Sequence, residues 1–335
     1  MVVGIREVAE HAGVSTATVS FYLNKPDKVR PETAERVRVA IETLGYVRND
    51  AARQLKAGKS RMLALIGFDV TDPFFAAVAR GIRAAATEHD LYVVLADSDS
   101  QVDLETEYLH LFEEQRVRGL LLAPVADPSP YLVEGKARVP IVLLDYSADE
   151  GTLPAVAIDG RAGGKMAAEH LLQCGRRRLA FVGGPSEIHQ VAERLEGFRG
   201  AAAGVANATV ELIETTERNA RQGREIGRRL ADRPESERPD GIFAVNDLVA
   251  VGLLQALVVE RGLAVPDAIS VVGYNDALAD EYSPLELTTL HPPQAELGAT
   301  AVELLLEAEA SPAPPPRTVV FMPELIVRES SVPRS

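Results

Sequence analysis

From residue 62 onward the chain alternates short apolar runs with longer stretches of helical spacing. "MLALIGF", "YVVLAD", "RGLLLAP" and "PIVLLDY" read as strands buried on both faces, and 74–88 and 104–115 between them read as helices. The pattern continues through "RLAFVGG", "TVELIET", "GIFAVND" and "AISVVGYND". Strands separated by helices imply a parallel sheet covered on both sides. About nine such strands are too many for one simple sheet, so the pattern predicts two α/β lobes. A Pro-rich loop, 312–316, precedes a last expected strand over 318–327.

The first 45 residues have another texture. Ile5, Val8 and Ala12 recur at helical spacing before Gly13, which predicts a first helix. Ser15 is a suitable N-cap for a second helix reaching about Leu23, and Asn24, Pro26 and Asp27 mark a loop. Pro31 opens a third helix whose buried stripe is Val37, Ala40, Ile41 and Leu44, ahead of Gly45. Next, "NDAARQLKAG" predicts a brief helix over 51–57, capped by Asn49 or Asp50, too short to be stable unless docked.

Charge separates these regions. Residues 1–60 hold ten Lys/Arg and seven Asp/Glu, a balance of +3; the remainder holds 25 and 42, a balance of −17. A basic head on an acidic body is the asymmetry expected when only the head meets a polyanion. No apolar run approaches the roughly 18 residues of a membrane span, and the N-terminus lacks the basic-then-apolar layout of a secretory signal. The single Cys174 builds no disulfide framework. A cytoplasmic protein is expected, with no membrane partner.

A helix, a glycine-containing turn and a second helix form the DNA-binding helix-turn-helix pattern. The stretch from "IREVAEHAGVSTATVSFYLN" to "NDAARQLKAG" resembles, nearly position by position, the headpiece of the LacI/GalR family of bacterial repressors. The resemblance continues in that family's order through "DPFF", "RVRGLLL", "RLEGFRGA", "FAVNDLVAVG", "VPDAISVVGYND" and "LTTLHPP", and covers essentially the whole chain. It implies a small all-α helix-turn-helix headpiece followed by an α/β two-lobed, periplasmic-binding-protein-like domain with parallel sheets. The expected boundaries are 1–45 for the headpiece, 46–60 for a hinge helix and linker, and 61–335 for the effector-binding and dimerisation domain. Within the last, the N-lobe takes 61–158 and 291–325, and the C-lobe 159–290.

By the same resemblance the second helix lies in the major groove. Small side chains permit close approach, and Ser15, Thr16 and Ser20 suit phosphates or base edges. Thr16, Ala17 and Phe21 occupy the main base-reading positions, where other members often carry long polar side chains. Val19 and Leu23 are expected to face the core, leaving Phe21 outside. In the hinge, Leu55 is expected to enter the minor groove at the operator centre, an apolar wedge between base steps. Asn49 stands at the head of that helix, and Arg53 and Lys56 reach toward phosphate.

Between the lobes the family binds a small-molecule effector. Asp72, Phe74 and Phe75 head a helix; Arg194, in "ERLEGF", matches an arginine that grips the ligand; Asn246 and Asp247 follow the strand "GIFAV". Asn275 stands where an aspartate is common, and an amide there keeps an acceptor while removing charge. Arg218 falls near a position that is often aromatic, and Ile188 replaces a polar or basic pocket residue. These departures argue against copying any known effector, although a sugar or related polyol is the family's expectation.

Enzyme readings find little support. The six histidines are scattered without metal-ligand spacing. There is no GxSxG elbow, Walker loop or GxGxxG after the first strand. Asp97, Asp99 and Asp103 lack the glycine and glutamate of an EF-hand. The expectation is therefore no enzyme, no cofactor and no metal. The resemblance implies a transcriptional regulator, foremost a repressor, associated with the bacterial nucleoid when bound. Its expected partners are a near-palindromic double-stranded operator, a small-molecule effector and a second copy of itself.

Overall fold

The computed structural model describes residues 3–47, 60–125, 132, 138–146, 153–277, 283–310 and 315–332. They fall into two units, Met1–Ser60 and Arg61–Ser335.

In the first unit, α1 (Ile5–Ala12) stops because Gly13 takes φ 62°, the left-handed conformation that glycine adopts without a Cβ clash. Helix α2 (Thr16–Asn24) starts where the Ser15 hydroxyl oxygen accepts the Thr18 N–H at 3.1 Å. One 3₁₀ turn, Pro26–Lys28, occupies the expected loop, and α3 (Pro31–Leu44) ends at Gly45. Val8, Ala9, Ala12, Val19, Val37 and Ala40 are buried together, with Tyr22, Leu23, Ile41 and Leu44 packed around them. So small a core is marginal, and a polar clamp adds to it. Arg36 on α3 donates from Nε to the Ala12 carbonyl at 3.0 Å and from Nη2 to the Ala12 and Gly13 carbonyls, the latter at 2.8 Å. It thus satisfies carbonyls that the end of α1 leaves without helical partners.

The second unit contains two six-stranded sheets. The first has the order β11-β5-β4-β3-β1-β2, built from β1 (Met62–Gly67), β2 (Tyr92–Asp97), β3 (Gly119–Leu122), β4 (Ile141–Leu144), β5 (Ala155–Ile158) and β11 (Thr318–Phe321). The second has the order β12-β10-β9-β8-β6-β7. Its strands are β6 (Arg178–Val182), β7 (Thr209–Ile213), β8 (Gly241–Ala244), β9 (Ser270–Tyr274), β10 (Thr288–His291) and β12 (Glu324–Ile326). The described pairings are parallel except β10 with β12. The connecting helices are α4 (Pro73–Glu88), α5 (Val102–Glu114), α6 (Gly160–Gln173), α7 (His189–Ala203), α8 (Ala220–Ala231), α9 (Asp247–Leu254) and α10 (Gln294–Ala308). Helix α9 runs on into a π-helical segment, Gln255–Glu260.

Central strands are buried on both faces, as expected of parallel sheets, but "YVVLAD" is not. It forms the edge strand β2, with Tyr92, Val94 and Leu95 exposed. The single strand expected over 318–327 is two. Thr318–Phe321 pairs parallel with β5, and Glu324–Ile326 pairs antiparallel with β10 in the other sheet. Pro323 stands between them, and with no N–H it cannot continue a ladder. The chain passes between the sheets three times: from β5 to α6, from β10 to α10 (which packs on α4 beside the first sheet), and from β11 to β12. The tail after β12 stays with the second sheet. There the Ser331 hydroxyl is 2.6 Å from His170 Nε2 and 2.7 Å from Thr288 Oγ1, and Ser330 donates to the Val271 carbonyl.

Helices α6 and α7 meet through glycines. A Cβ on Gly164 would strike the Arg194 carbonyl, and one on Gly197 would strike that of Arg161. This close approach lets the backbones of the two helices touch at Arg194 and Arg161.

The Arg36 clamp predicts that Arg36→Ala loosens the end of α1 by about 1 kcal/mol, read as roughly fivefold faster hydrogen exchange at Val14 and the last turn of α1. Arg38→Ala removes only exposed bridges to Glu35 and Glu42 on its own helix and leaves those amides unchanged. Equal effects of the two substitutions would refute the clamp.

Candidate functional site

On the headpiece, Thr16, Ala17, Ser20 and Phe21 share one face of α2, opposite buried Val19. Thr16, Ala17 and Phe21 are exposed, Phe21 at 46%, so its ring lies outside the core. Ser15 is exposed, but its oxygen caps α2 and lies 2.9 Å from Thr18 Oγ1. The Ser15 hydroxyl is thus engaged within the headpiece. Asn49, Arg53, Leu55 and Lys56 lie outside the described residues.

In the body, strands of both lobes end at one cleft. Phe68 follows β1, Asp97 ends β2, Pro124 follows β3 and Asp145 follows β4. From the other lobe, Pro185 and Ile188 follow β6, Thr216 follows β7, Asn246 follows β8 and Asn275 follows β9. Carboxyl ends of parallel strands are where α/β sheets hold ligands. A cavity of about 560 Å³ opens there, lined by Phe68, Asp69, Asp97 and Asp99 on one side and Glu187, Ile188, Glu217 and Arg218 on the other.

A polar seam joins the lobes at this cleft. Asn246 Nδ2 lies 3.4 Å from Asp72 Oδ2 and donates to the Arg218 carbonyl at 2.9 Å. Gln190 donates to the Asp145 carbonyl at 2.7 Å, and the Tyr146 and His189 rings lie 5.2 Å apart. The Arg218 guanidinium covers the Phe68 ring at 5.2 Å, a cation–π contact across the cleft. Arg194, 7% exposed, stacks over Tyr274 at 3.6 Å and donates Nη1 to the Val245 carbonyl at 2.7 Å. Burial pushes the Asp145 carboxyl up to about 7, against the pull of Arg194. Burial likewise raises Asp247 to about 7, opposed by hydrogen bonds from Thr289 and Ala277, and it also raises Asp72.

Of the seven expected effector residues, Asp72 and Asn246 meet across this seam, and none of the seven is on the wall of the large cavity. Asp72 caps α4, its Oδ1 accepting the Phe74 N–H at 2.9 Å. Phe74 and Phe75 border a small space of about 20 Å³ with Asp72 and Asp145. Phe75, 6% exposed, presses its ring on Gly67 and belongs to the core. Asn246 caps α9 through Val249, and Asp247 has both oxygens occupied, by Thr289 Oγ1 and the Ala277 N–H. Asn275 is 4% exposed, with φ 111° and its Oδ1 unpartnered among the described residues. Phe68, Asp69, Asp97 and Glu187 were absent from the expected set. Their one signal was position just beyond a strand's carboxyl end. Among the described residues no group of His, Cys, Asp and Glu is placed to hold a metal, and no helix is long and apolar enough to cross a membrane.

Comparison with known proteins decides the family. Residues 4–49 match the model of bacterial regulatory proteins, lacI family, and residues 168–331 match a periplasmic binding protein-like domain. The HTH-type transcriptional repressor PurR of Aliivibrio fischeri is 30% identical over 331 residues, covering 97% of each chain. The ribose operon repressor of Halalkalibacterium halodurans is 32% identical over 328 residues, covering 98% of this chain and 96% of that one. The chain belongs to the lacI family. Its fold matches a structure of the lac repressor dimer bound to operator and the anti-inducer ONPF, with TM-score 0.83 and 26% identity over 99% of this chain and 100% of that one. As a lacI-family protein it is a DNA-binding transcriptional regulator: α2 is the second helix of its helix-turn-helix, and the cleft lies in its periplasmic-binding-like body.

The raised Asp145 has a consequence for stability. The folded protein keeps a proton there that the unfolded chain loses near the ordinary aspartate value. Its stabilising effect is present at low pH and is lost as pH rises from about 4 to 7, by up to about 1.4 kcal/mol per unit. Asp145→Asn removes the ionisation and tolerates the φ of 48°. Its urea midpoint should gain on the parent's between pH 5 and 8; a constant difference would contradict the assignment.

Proposed function

We propose that this lacI-family chain is a repressor that binds a near-palindromic operator as a homodimer, acts in the cytoplasm, and is controlled by a sugar or related polyol held between its lobes. The observation that carries the reading is the pairing, in one chain, of an exposed small-side-chain face on α2 with a two-lobed cleft lined by polar groups. The headpiece (1–45), with Ser15, Thr16, Ala17, Ser20 and Phe21, reads the major groove. Thr16 and Ala17 offer methyl groups to thymine methyls. The segment 46–60 supplies Asn49, Arg53 and Lys56 to the backbone and Leu55 to the minor groove. One recognition helix reads too few base pairs for genomic specificity, which supports a two-fold dimer. The names of the ribose operon and lac repressors support a sugar-type effector.

In the body (61–335), Arg194 and Asn275 contribute polar contacts from the floor of the cleft, while Asp72, Asn246 and Asp247 hold the floor in shape. Phe74 and Phe75 shape the wall behind it. An effector that stabilises the closed lobes shifts the lobe nearer the DNA and with it the paired hinge segments. A coupling of about 1–3 kcal/mol changes operator affinity some 5- to 150-fold.

Selection of bound sites from a random DNA pool should return a two-fold symmetric motif with a deformable central step. Leu55→Ala should weaken binding to that motif by about tenfold or more while sparing non-specific DNA. Equal loss on both would remove the wedge. A pool that yields no motif, with or without metabolite extract, would favour an architectural DNA binder instead.

A further inference from the structure

The cavity of about 560 Å³ has one wall from each lobe, and a single side chain reaches from one wall to the other. Of the polar and ring contacts described between the lobes, that of Arg218 with Phe68 alone has both ends on this wall. The Arg218 guanidinium, from the loop between β7 and α8, lies 5.2 Å from the centre of the Phe68 ring, which follows β1 in the other lobe.

The polar groups beside Arg218 in its own loop are occupied with one another. Glu217 accepts from Asn219 at 2.6 Å and from Arg221 at 3.2 Å, and Asn219 Oδ1 accepts the Gln222 N–H at 3.0 Å to cap α8. Arg194, on the same lobe, repels Arg218. Attraction comes from across the cleft, from the face of Phe68 and the charges of Asp72 and Asp69. Burial pulls the guanidinium below its ordinary value, while those two carboxylates push it up. The first lobe thus presents a seat for a cation, an aromatic face beside two carboxylates, and the second lobe fills it with its own side chain.

The backbone behind that side chain is tied down. The Arg218 carbonyl accepts Asn246 Nδ2 at 2.9 Å, and Asn246 in turn caps α9. The guanidinium itself makes no hydrogen bond among the described residues, so a ring face and unscreened charge hold it. Such a hold is modest and needs no exact geometry to form or to break.

We propose that Arg218 is a latch between the lobes: its guanidinium, seated on Phe68 beside Asp69 and Asp72, holds the two walls of the cavity together, and releasing it opens the cleft. A ligand in this cavity lies against the latch, so binding and closure act on the same side chain. That use rests on the cleft being the effector site; the closure itself does not.

The test is single-molecule energy transfer across the cleft of the full-length protein with no ligand added. Dyes are placed at Asp103→Cys and Glu225→Cys, both exposed and on opposite lobes, with Cys174→Ser. Excess unlabelled protein keeps transfer within one chain. Arg218→Met keeps the length and removes the charge, and should raise the ratio of open to closed molecules by about 2- to 30-fold, the span of cation–π contacts from exposed to desolvated. Arg218→Lys keeps a cation and should recover part of the closure. Phe68→Leu should open the cleft as Arg218→Met does, and the two together should add little, because both remove one contact. Arg221→Met, in the same region but paired with Glu217, should change nothing. An open fraction unchanged in Arg218→Met, effects that add in the double variant, or equal opening by Arg221→Met overturns the latch. No ligand enters the measurement, so none of these results bears on the effector reading.

Discussion

Arg194 is a guanidinium held at 7% exposure between the lobes, with Asp72 and Asp145 close enough to feel its charge. An ion so placed gives up most of its hydration, and only nearby opposite charge and fixed dipoles make that tolerable. Its own lobe supplies the Val245 carbonyl and the Tyr274 face; the two carboxyls come from the other lobe, where burial raises both.

A long Asn246–Asp72 contact, one amide donated to the Asp145 carbonyl, one cation–π contact and one ring pair hold the cleft, each a modest contribution. The central strands of both lobes are fully buried, and one apolar cluster takes in Leu65 and Leu144 of one lobe with Phe181 and Phe243 of the other. The crossing after β10 also carries charge: His291 Nδ1 is 3.1 Å from Asp276 Oδ2, and Arg328 donates to the other oxygen of Asp276.

The headpiece meets another constraint. Three short helices bury few side chains, and the turn between α1 and α2 must keep its shape for α2 to present one face outward. Gly13 supplies the left-handed turn and Arg36 holds the carbonyls around it. The short side chains of α2 are thereby carried outward on a fixed backbone. The uneven charge of the chain, basic in the first 60 residues and acidic beyond, favours DNA contact at this end alone.

Much of the fold was legible in the residues. Gly13, Ser15, Pro31 and Gly45 marked helix ends because capping and left-handed turns act over three or four residues, and alternating apolar runs marked two parallel-sheet lobes for the same local reason. The break at Pro323 was also written locally, yet that the strands flanking it enter different sheets depends on which edges are unpaired. "YVVLAD" reads like any buried strand; its place at a sheet edge, and so its exposed face, comes from strand order. Arg194 was recognisable by resemblance, but its stacking on Tyr274 and the upward push on Asp145 arise only when distant segments meet and exclude water. The cavity wall was the least legible part. Asp69, Asp97, Glu187 and Arg218 are ordinary loop residues one at a time, and only the tertiary structure collects their charges around one space. By itself the sequence determined the local elements and the number of lobes, since these follow from short-range geometry and periodicity, while the resemblance pointed to the helix expected to face DNA. Which groups share the cleft, and the sign of the field inside it, was decided by the tertiary structure, because electrostatics acts through distances that chain order does not specify.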